Sequence, residues 1–177
     1  MPLLLALLAI QAAEPLPRTI LNPSFEQELR GWRTDTNVRG YRGYSQQEVS
    51  YSSDRAAHGS RWLGINWAAR SGTPPNAYYR LTTRIDARRY RGRTLIFSAA
   101  VRLPEHAHRA AALTLAVTSP AGRHGQEHRL ASTSTWRRER LVFRVPRDAV
   151  SIELGFLVDG RSGALEADAV RLERAPR

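Results

Sequence analysis

Val150 to Glu173 reads VSIELGFLVDGRSGALEADAVRLE. Ile152, Leu154, Phe156 and Val158 alternate with more polar or smaller neighbours, and a second alternating run, Ala164 to Leu172, follows across Asp159-Gly160-Arg161-Ser162-Gly163. A period of two sends successive side chains to opposite faces, and the Gly/Ser/Asp cluster turns the chain. The stretch therefore predicts two strands around a glycine-rich turn. Together with the opening words Leu21-Asn22-Pro23-Ser24-Phe25-Glu26 it brackets the rest of the chain.

The same pattern recurs inside the bracket. Arg61 to Trp67 places Leu63, Ile65 and Trp67 on one face, with Trp62, Gly64 and Asn66 on the other. Ala77 to Ile85 groups Tyr79, Leu81 and Ile85 against Tyr78, Arg80, Thr82 and Arg84. Leu95, Phe97, Ala99 and Val101 point inward from Thr94 to Arg102; Leu113, Leu115 and Val117, then Leu141, Phe143 and Val145, repeat the pattern, and Glu127 to Ala131 reads as a further short strand. Arg18 to Leu21 reads as a first strand and Leu29 to Arg33 as a second, followed by a polar loop from Thr34 to Ser53 that carries Tyr41, Tyr44 and Tyr51. The one helical candidate is Glu105 to Ala112. Nine or ten short strands punctuated by Gly, Pro, Asn and Ser, with no internal repeat, predict an all-β sandwich of two antiparallel sheets.

A chain of 177 residues fits one such core. Its first 13 residues, ending PLLLALLAIQAA, are apolar but too short to span a bilayer, and Glu14-Pro15-Leu16-Pro17 breaks any helix after them. Residues 1–13 therefore read as a signal peptide, 14–17 as a linker and 18–174 as the domain, of a secreted or periplasmic, monomeric protein with no transmembrane segment in its mature form. Cysteine is absent, so no disulfide or thiolate metal site holds the fold. The 27 basic residues, all arginine, outnumber 16 acidic ones for a net charge of +11. Two readings stand: a surface for anionic partners, or a coding bias spread over a solvated surface without any run of five basic residues.

Several short motifs resemble the carbohydrate-binding modules of the galactose-binding-like jelly-roll type, families 4, 9 and 22 among them. Leu21-Asn22-Pro23-Ser24-Phe25-Glu26 with Gly31-Trp32 is similar to their opening words. His58-Gly59-Ser60-Arg61-Trp62-Leu63, Tyr90-Arg91-Gly92-Arg93-Thr94-Leu95, and Trp136 with Phe143 and Pro146 are similar to interior words. Gly163 to Val170 resembles the closing word, except that its aromatic pair is here Glu166-Ala167 and its second aspartate is Ala169. The resemblance implies a jelly roll over Arg18 to Glu173 and non-catalytic binding of a polysaccharide. It also implies a structural calcium between Glu26 and Asp168, with loop-amide capping by Glu26 as the alternative role.

Sugar recognition needs a flat apolar face for C–H groups beside planar hydrogen-bonding groups for hydroxyls. Trp67, Tyr79, Phe97 and Phe143 are assigned to the core by alternation, and Trp32 and Trp136 match structural positions of the family. Trp62, Asn66, Tyr78, Arg80 and Arg102 remain on outward faces, with Tyr41 and Tyr44 in the loop, as candidate ligand-binding residues. Arginines in this set suit an anionic glycan, because a guanidinium grips carboxylate or sulfate bidentately. A structural or adhesive domain without a sugar site is the alternative. The five histidines, His106, His108, His124 and His128 among them, match no zinc spacing and no nucleophile elbow occurs, so an enzyme is not expected. Short arginine doublets and export argue against a specific nucleic-acid partner.

Overall fold

A computed structural model describes residues 15–37, 56–68, 76–103, 111–159 and 162–176. Nine strands run through them: β1 (Arg33–Thr36), β2 (Leu63–Ala68), β3 (Tyr78–Asp86), β4 (Thr94–Leu103), β5 (Ala111–Ser119), β6 (Gly122–Arg129), β7 (Thr133–Arg144), β8 (Ser151–Asp159) and β9 (Ser162–Arg174). All pairings are antiparallel, in a five-stranded sheet of order β1-β3-β8-β5-β6 and a four-stranded sheet of order β2-β9-β4-β7. This is an all-β jelly-roll sandwich.

The closing stretch supplies one strand to each sheet. β8 lies between β3 and β5, while β9 lies between β2 and β4, so two strands consecutive in the chain belong to opposite layers. Ile152, Leu154, Phe156 and Val158 of β8 are fully buried, and Phe156 meets Phe97 of β4 across the core. An aromatic chain ties the layers together: Phe25 to Trp32 at 5.1 Å between ring centroids, Trp32 to Phe156 at 5.9 Å, and Phe156 to Phe97 at 6.4 Å.

The chain entry differs from the expected pair of strands. Arg18 to Leu21 bends without forming a strand, Leu29 to Gly31 turns, and β1 begins at Arg33. Asn22, Phe25 and Glu28 all adopt positive φ, near +50°, and a ladder of short-range bonds follows, including Phe25 N–H to Asn22 O (3.3 Å) and Trp32 N–H to Leu29 O (2.8 Å). Asn22 stabilises this coil with its own side chain, which donates to Glu28 O (2.7 Å) and accepts from Gln27 N–H (3.0 Å). Pro17 joins the fold as well, its carbonyl accepting from Asp86 N–H at 2.8 Å. The helical candidate falls mostly on residues outside those described, and its last two, Ala111 and Ala112, open β5.

At the middle of the five-stranded sheet sits Gly155. A methyl group there would lie 2.0 Å from Leu81 O and 2.9 Å from Thr82 Cα, so a side chain is excluded by backbone.

Candidate functional site

The register places Gly155 beside Thr82 and Thr114, with Ala112 and Ala116 in the flanking rows of β5. Small side chains make a floor, and longer ones rise on either side. Two hollows share Arg80 and Glu127 and so form one trough. One, of about 460 Å³, is bounded by Tyr78, Leu157, Arg129 and Asp159. The other, of about 330 Å³, is bounded by Thr114, Arg123 and Glu153.

Tyr78 and Arg80 stand two residues apart on the outward side of β3. Tyr78 is fixed at both ends: its hydroxyl donates to Asp35 Oδ2 (3.1 Å), its N–H to Asn37 Oδ1 (2.9 Å), and its carbonyl accepts from Thr36 Oγ1 (2.7 Å). Burial, then the hydrogen bond and charge of Asp35, hold the phenol above its ordinary range. The Arg80 guanidinium lies 5.4 Å from the Tyr78 ring centroid. Arg80 makes no ion pair among the described residues, and its buried Nε has no hydrogen-bond partner there. The other arginines of the trough are engaged: Arg129 with Asp159 (2.7 Å) and Glu127 (3.4 Å), Arg123 with Glu153 (2.6 Å). Among the described residues Arg80 is thus the trough's arginine without an ion pair, held against a ring beside a floor of small side chains.

Sequence alternation missed Asp35, Glu127, Glu153 and Asp159, which reach the trough from three other strands. The polar run of β6, Gly122 to Arg129, carries no apolar alternation; that was the signal that this strand lies at an edge.

Trp62, Asn66 and Arg102 belong elsewhere. They stand on the four-stranded sheet, on the opposite side of the sandwich from Tyr78 and Arg80; Asn66 is in register with Ala164 of β9. Trp62 is not the exposed ring that alternation predicts, being 5% exposed. It packs edge-on against Trp136 (6.5 Å), and the Arg102 guanidinium lies 4.9 Å from Trp136 and 6.0 Å from Trp62. Arg102 is also ion-paired with Glu166, both side chains being mostly buried. Trp62 and Arg102 thus pack against Trp136 and Glu166. Tyr41 and Tyr44 lie outside the described residues.

Glu26 and Asp168 do meet the same loop, from opposite ends of the chain. Glu26 Oε1 accepts from the N–H groups of Ser60 (2.8 Å) and Arg61 (3.0 Å), and Oε2 from the Ser60 hydroxyl (2.7 Å). These bonds hold its carboxyl below the usual range. Gly59 is required there: it has φ +72°, and a methyl group on it would lie 2.3 Å from Glu26 Oε1. Asp168, 0% exposed, accepts from His58 N–H (2.7 Å) and Ala169 N–H (2.6 Å). Calcium takes about six to eight oxygens. Here both carboxylates turn their lone pairs to hydrogen donors, and among the described residues no group of three His, Cys, Asp or Glu side chains converges. The pair does not fit a calcium centre in this arrangement, because its carboxylates are committed to loop and strand amides. Melting curves in millimolar calcium and in excess EDTA are therefore expected to superimpose. A fall of several degrees in EDTA would show that an ion holds the ends together.

Of the histidines, His128 faces Glu139 across the open side of the sandwich (Nε2 to Oε2, 3.0 Å), His124 is exposed on β6, and His106 and His108 lie outside the described residues.

Two antiparallel sheets packed as a sandwich define the fold class. The chain has the fold of the β-sandwich carbohydrate-binding modules of the galactose-binding-like type. In particular it is similar to a family 16 carbohydrate-binding module, with a TM-score of 0.63 and 15% identity over 88% of this chain and 99% of that one. It is similar too to a family 61 module in complex with β-1,4-galactotriose, with a TM-score of 0.56 and 17% identity over 89% and 99%. The enzymatically active domain of bacteriophage CBA120 tailspike protein 4 gives a TM-score of 0.65 at 15% identity; the match covers 89% of this chain and 21% of that one. No protein-family profile and no curated protein sequence matches the chain. Likeness at these identities is likeness of fold.

Proposed function

We propose that the chain is an exported, non-catalytic module that binds a polysaccharide in the trough of the five-stranded sheet, with a preference for sugars carrying carboxylate or sulfate. The observation that supports this reading is the Tyr78–Arg80 pair: an anchored ring beside a guanidinium that has no ion-pair partner among the described residues, at the junction of the two hollows. Charged planar side chains around it suit hydroxyl groups, and Arg80 supplies donors for an acidic substituent. Catalysis of glycoside cleavage needs a carboxyl pair free to move protons. Glu127, Glu153 and Asp159 are instead each tied to an arginine, and Asp35 to Tyr78. The apolar residues 1–13, read as a signal peptide, support export. Among the described residues no helix is long and apolar enough to cross a membrane.

Affinity electrophoresis in gels containing xylan, galactan or polygalacturonate tests the proposal. Tyr78→Ala is expected to weaken retention on the bound polysaccharide about tenfold, close to 1.4 kcal/mol. Arg80→Gln is expected to weaken polygalacturonate more than a neutral chain, with the melting temperature little changed in both variants. Full retention in both would remove the trough as the site and leave the structural or adhesive reading.

A further inference from the structure

The two outer faces of the sandwich treat their arginines differently. In the trough of the five-stranded sheet, Arg123 and Arg129 are paired with carboxylates. On the outer face of the four-stranded sheet, Ser98 of β4 has Arg140 of β7 on one side and Arg171 of β9 on the other. One row along, Arg138 stands opposite Ala100, and its Nη1 leans back over the strand to donate to Ala169 O (3.0 Å) and Ser98 Oγ (3.4 Å). Three exposed arginines therefore surround a floor of serine and alanine. Among the described residues none of the three is ion-paired.

The crowding leaves a field unsatisfied. Burial, and then the neighbouring Arg171 and Arg140, push the Arg138 guanidinium below its ordinary value, with Glu173 opposing them. Asp168 lies beneath, but it is buried and its oxygens are taken by backbone amides. An incoming anion would relieve the repulsion and release counter-ions. The backbones of Arg138 and Arg140 are about 6.7 Å apart along the strand, two residues at the usual rise, and Arg138 leans over the Ser98 row, so the arginines form one continuous basic patch.

Nucleic acid is the weaker fit, since single-stranded binding rests on free aromatic faces for the bases. The ring nearest the arginines, Trp136, is engaged by the Arg102 guanidinium and by Trp62. Among the described residues the face offers guanidinium forks without an open stacking platform, which matches carboxylate or sulfate groups on sugars.

We propose that the outer face of the four-stranded sheet, centred on Arg138, Arg140 and Arg171, is a second binding surface, for an acidic polysaccharide. It is independent of the trough, from which the thickness of the sandwich separates it, so one module can hold two chains.

The test measures retention of the full chain on polygalacturonate and on dextran sulfate, across a salt series, with a single-stranded oligonucleotide as competitor. The triple variant R138Q/R140Q/R171Q is expected to bind both acidic polymers at least tenfold more weakly, and to flatten the log–log salt slope by about two. Because Arg138 also holds Ala169 O, R140Q/R171Q alters exposed side chains alone and is expected to give most of the loss. Combined with Arg80→Gln, the triple variant should lose more than Arg80→Gln alone, which separates this surface from the trough. Unchanged retention in both arginine variants would overturn the proposal. So would an oligonucleotide that displaces the acidic polysaccharide at equal charge in about 0.15 M salt.

Discussion

Replacing Asp168 by alanine is expected to lower stability by about 3 kcal/mol, seen as a fall in the urea midpoint without a change in slope. The side chain is wholly buried and accepts from the backbone amides of Ala57, His58 and Ala169. Deleting it leaves those donors facing a void, and each buried amide without a partner costs about 1–3 kcal/mol before relaxation. Asp168→Asn keeps the shape but turns an NH2 toward an amide N–H, so an intermediate loss is expected. The pH dependence adds a second readout. Burial raises the Asp168 pKa above its ordinary value, against the lowering by its amide bonds, so the folded chain holds this proton more tightly than the unfolded one. Its contribution is therefore present below the ordinary carboxylate range and is lost as pH rises through the folded value. Glu26 runs the other way: its lowered pKa gives a contribution present above the ordinary value and lost on acidification through the folded one. Asp168→Asn should remove the first limb and leave the second. A variant D168A that melts with the wild type would show that the loop amides find water or another acceptor.

The inward residues of the core were legible because alternation is a local consequence of the pleat. Leu63, Ile65, Leu81, Leu95, Phe97, Leu113, Leu141, Phe143, Ile152 and Phe156 are all buried as their spacing predicts. The entry was not legible in the same way. Arg18 to Leu21 has the composition of a strand, but Asn22-Pro23 and the positive φ values at Asn22, Phe25 and Glu28 commit the segment to turns whose bonds depend on one asparagine side chain. The opening word Leu21 to Glu26 does meet the closing strand, Val170 N–H donating to Pro23 O at 2.9 Å.

Alternation tells inward from outward within one strand, but it is silent on which sheet that strand joins. Tyr78 and Arg80 come from β3 of one sheet, Trp62 and Arg102 from the segments of the other, so one outward set became two groups on opposite faces. Register decides the remainder. Asp35 stands opposite Arg80, and Glu166 opposite Arg102, at separations of 45 and 64 residues in the chain, which no local pattern encodes. Exposure depends likewise on neighbours brought in from afar, as Trp62 shows.

Trp62→Ala is the substitution that most sharply separates an outward position from a binding position. With 5% of the residue exposed, removing the indole leaves a cavity beside Trp136 and Arg102, and a loss of about 3 kcal/mol is expected. Arg102 would lose one of the two rings beneath its guanidinium, loosening its pairing with Glu166. Trp62→Phe makes the control. The indole Nε1 is buried without a hydrogen-bond partner among the described residues, a cost that phenylalanine removes while giving up part of the ring area. The two effects oppose, so a change within about 1 kcal/mol is expected for Trp62→Phe. Thermal melts and xylan or polygalacturonate retention, measured on the same preparations, distinguish packing from binding. Packing requires that Trp62→Ala melt much earlier and that Trp62→Phe bind and melt as the wild type does. A Trp62→Ala protein as stable as the wild type that no longer binds polysaccharide would return this ring to the binding surface that its alternation first indicated.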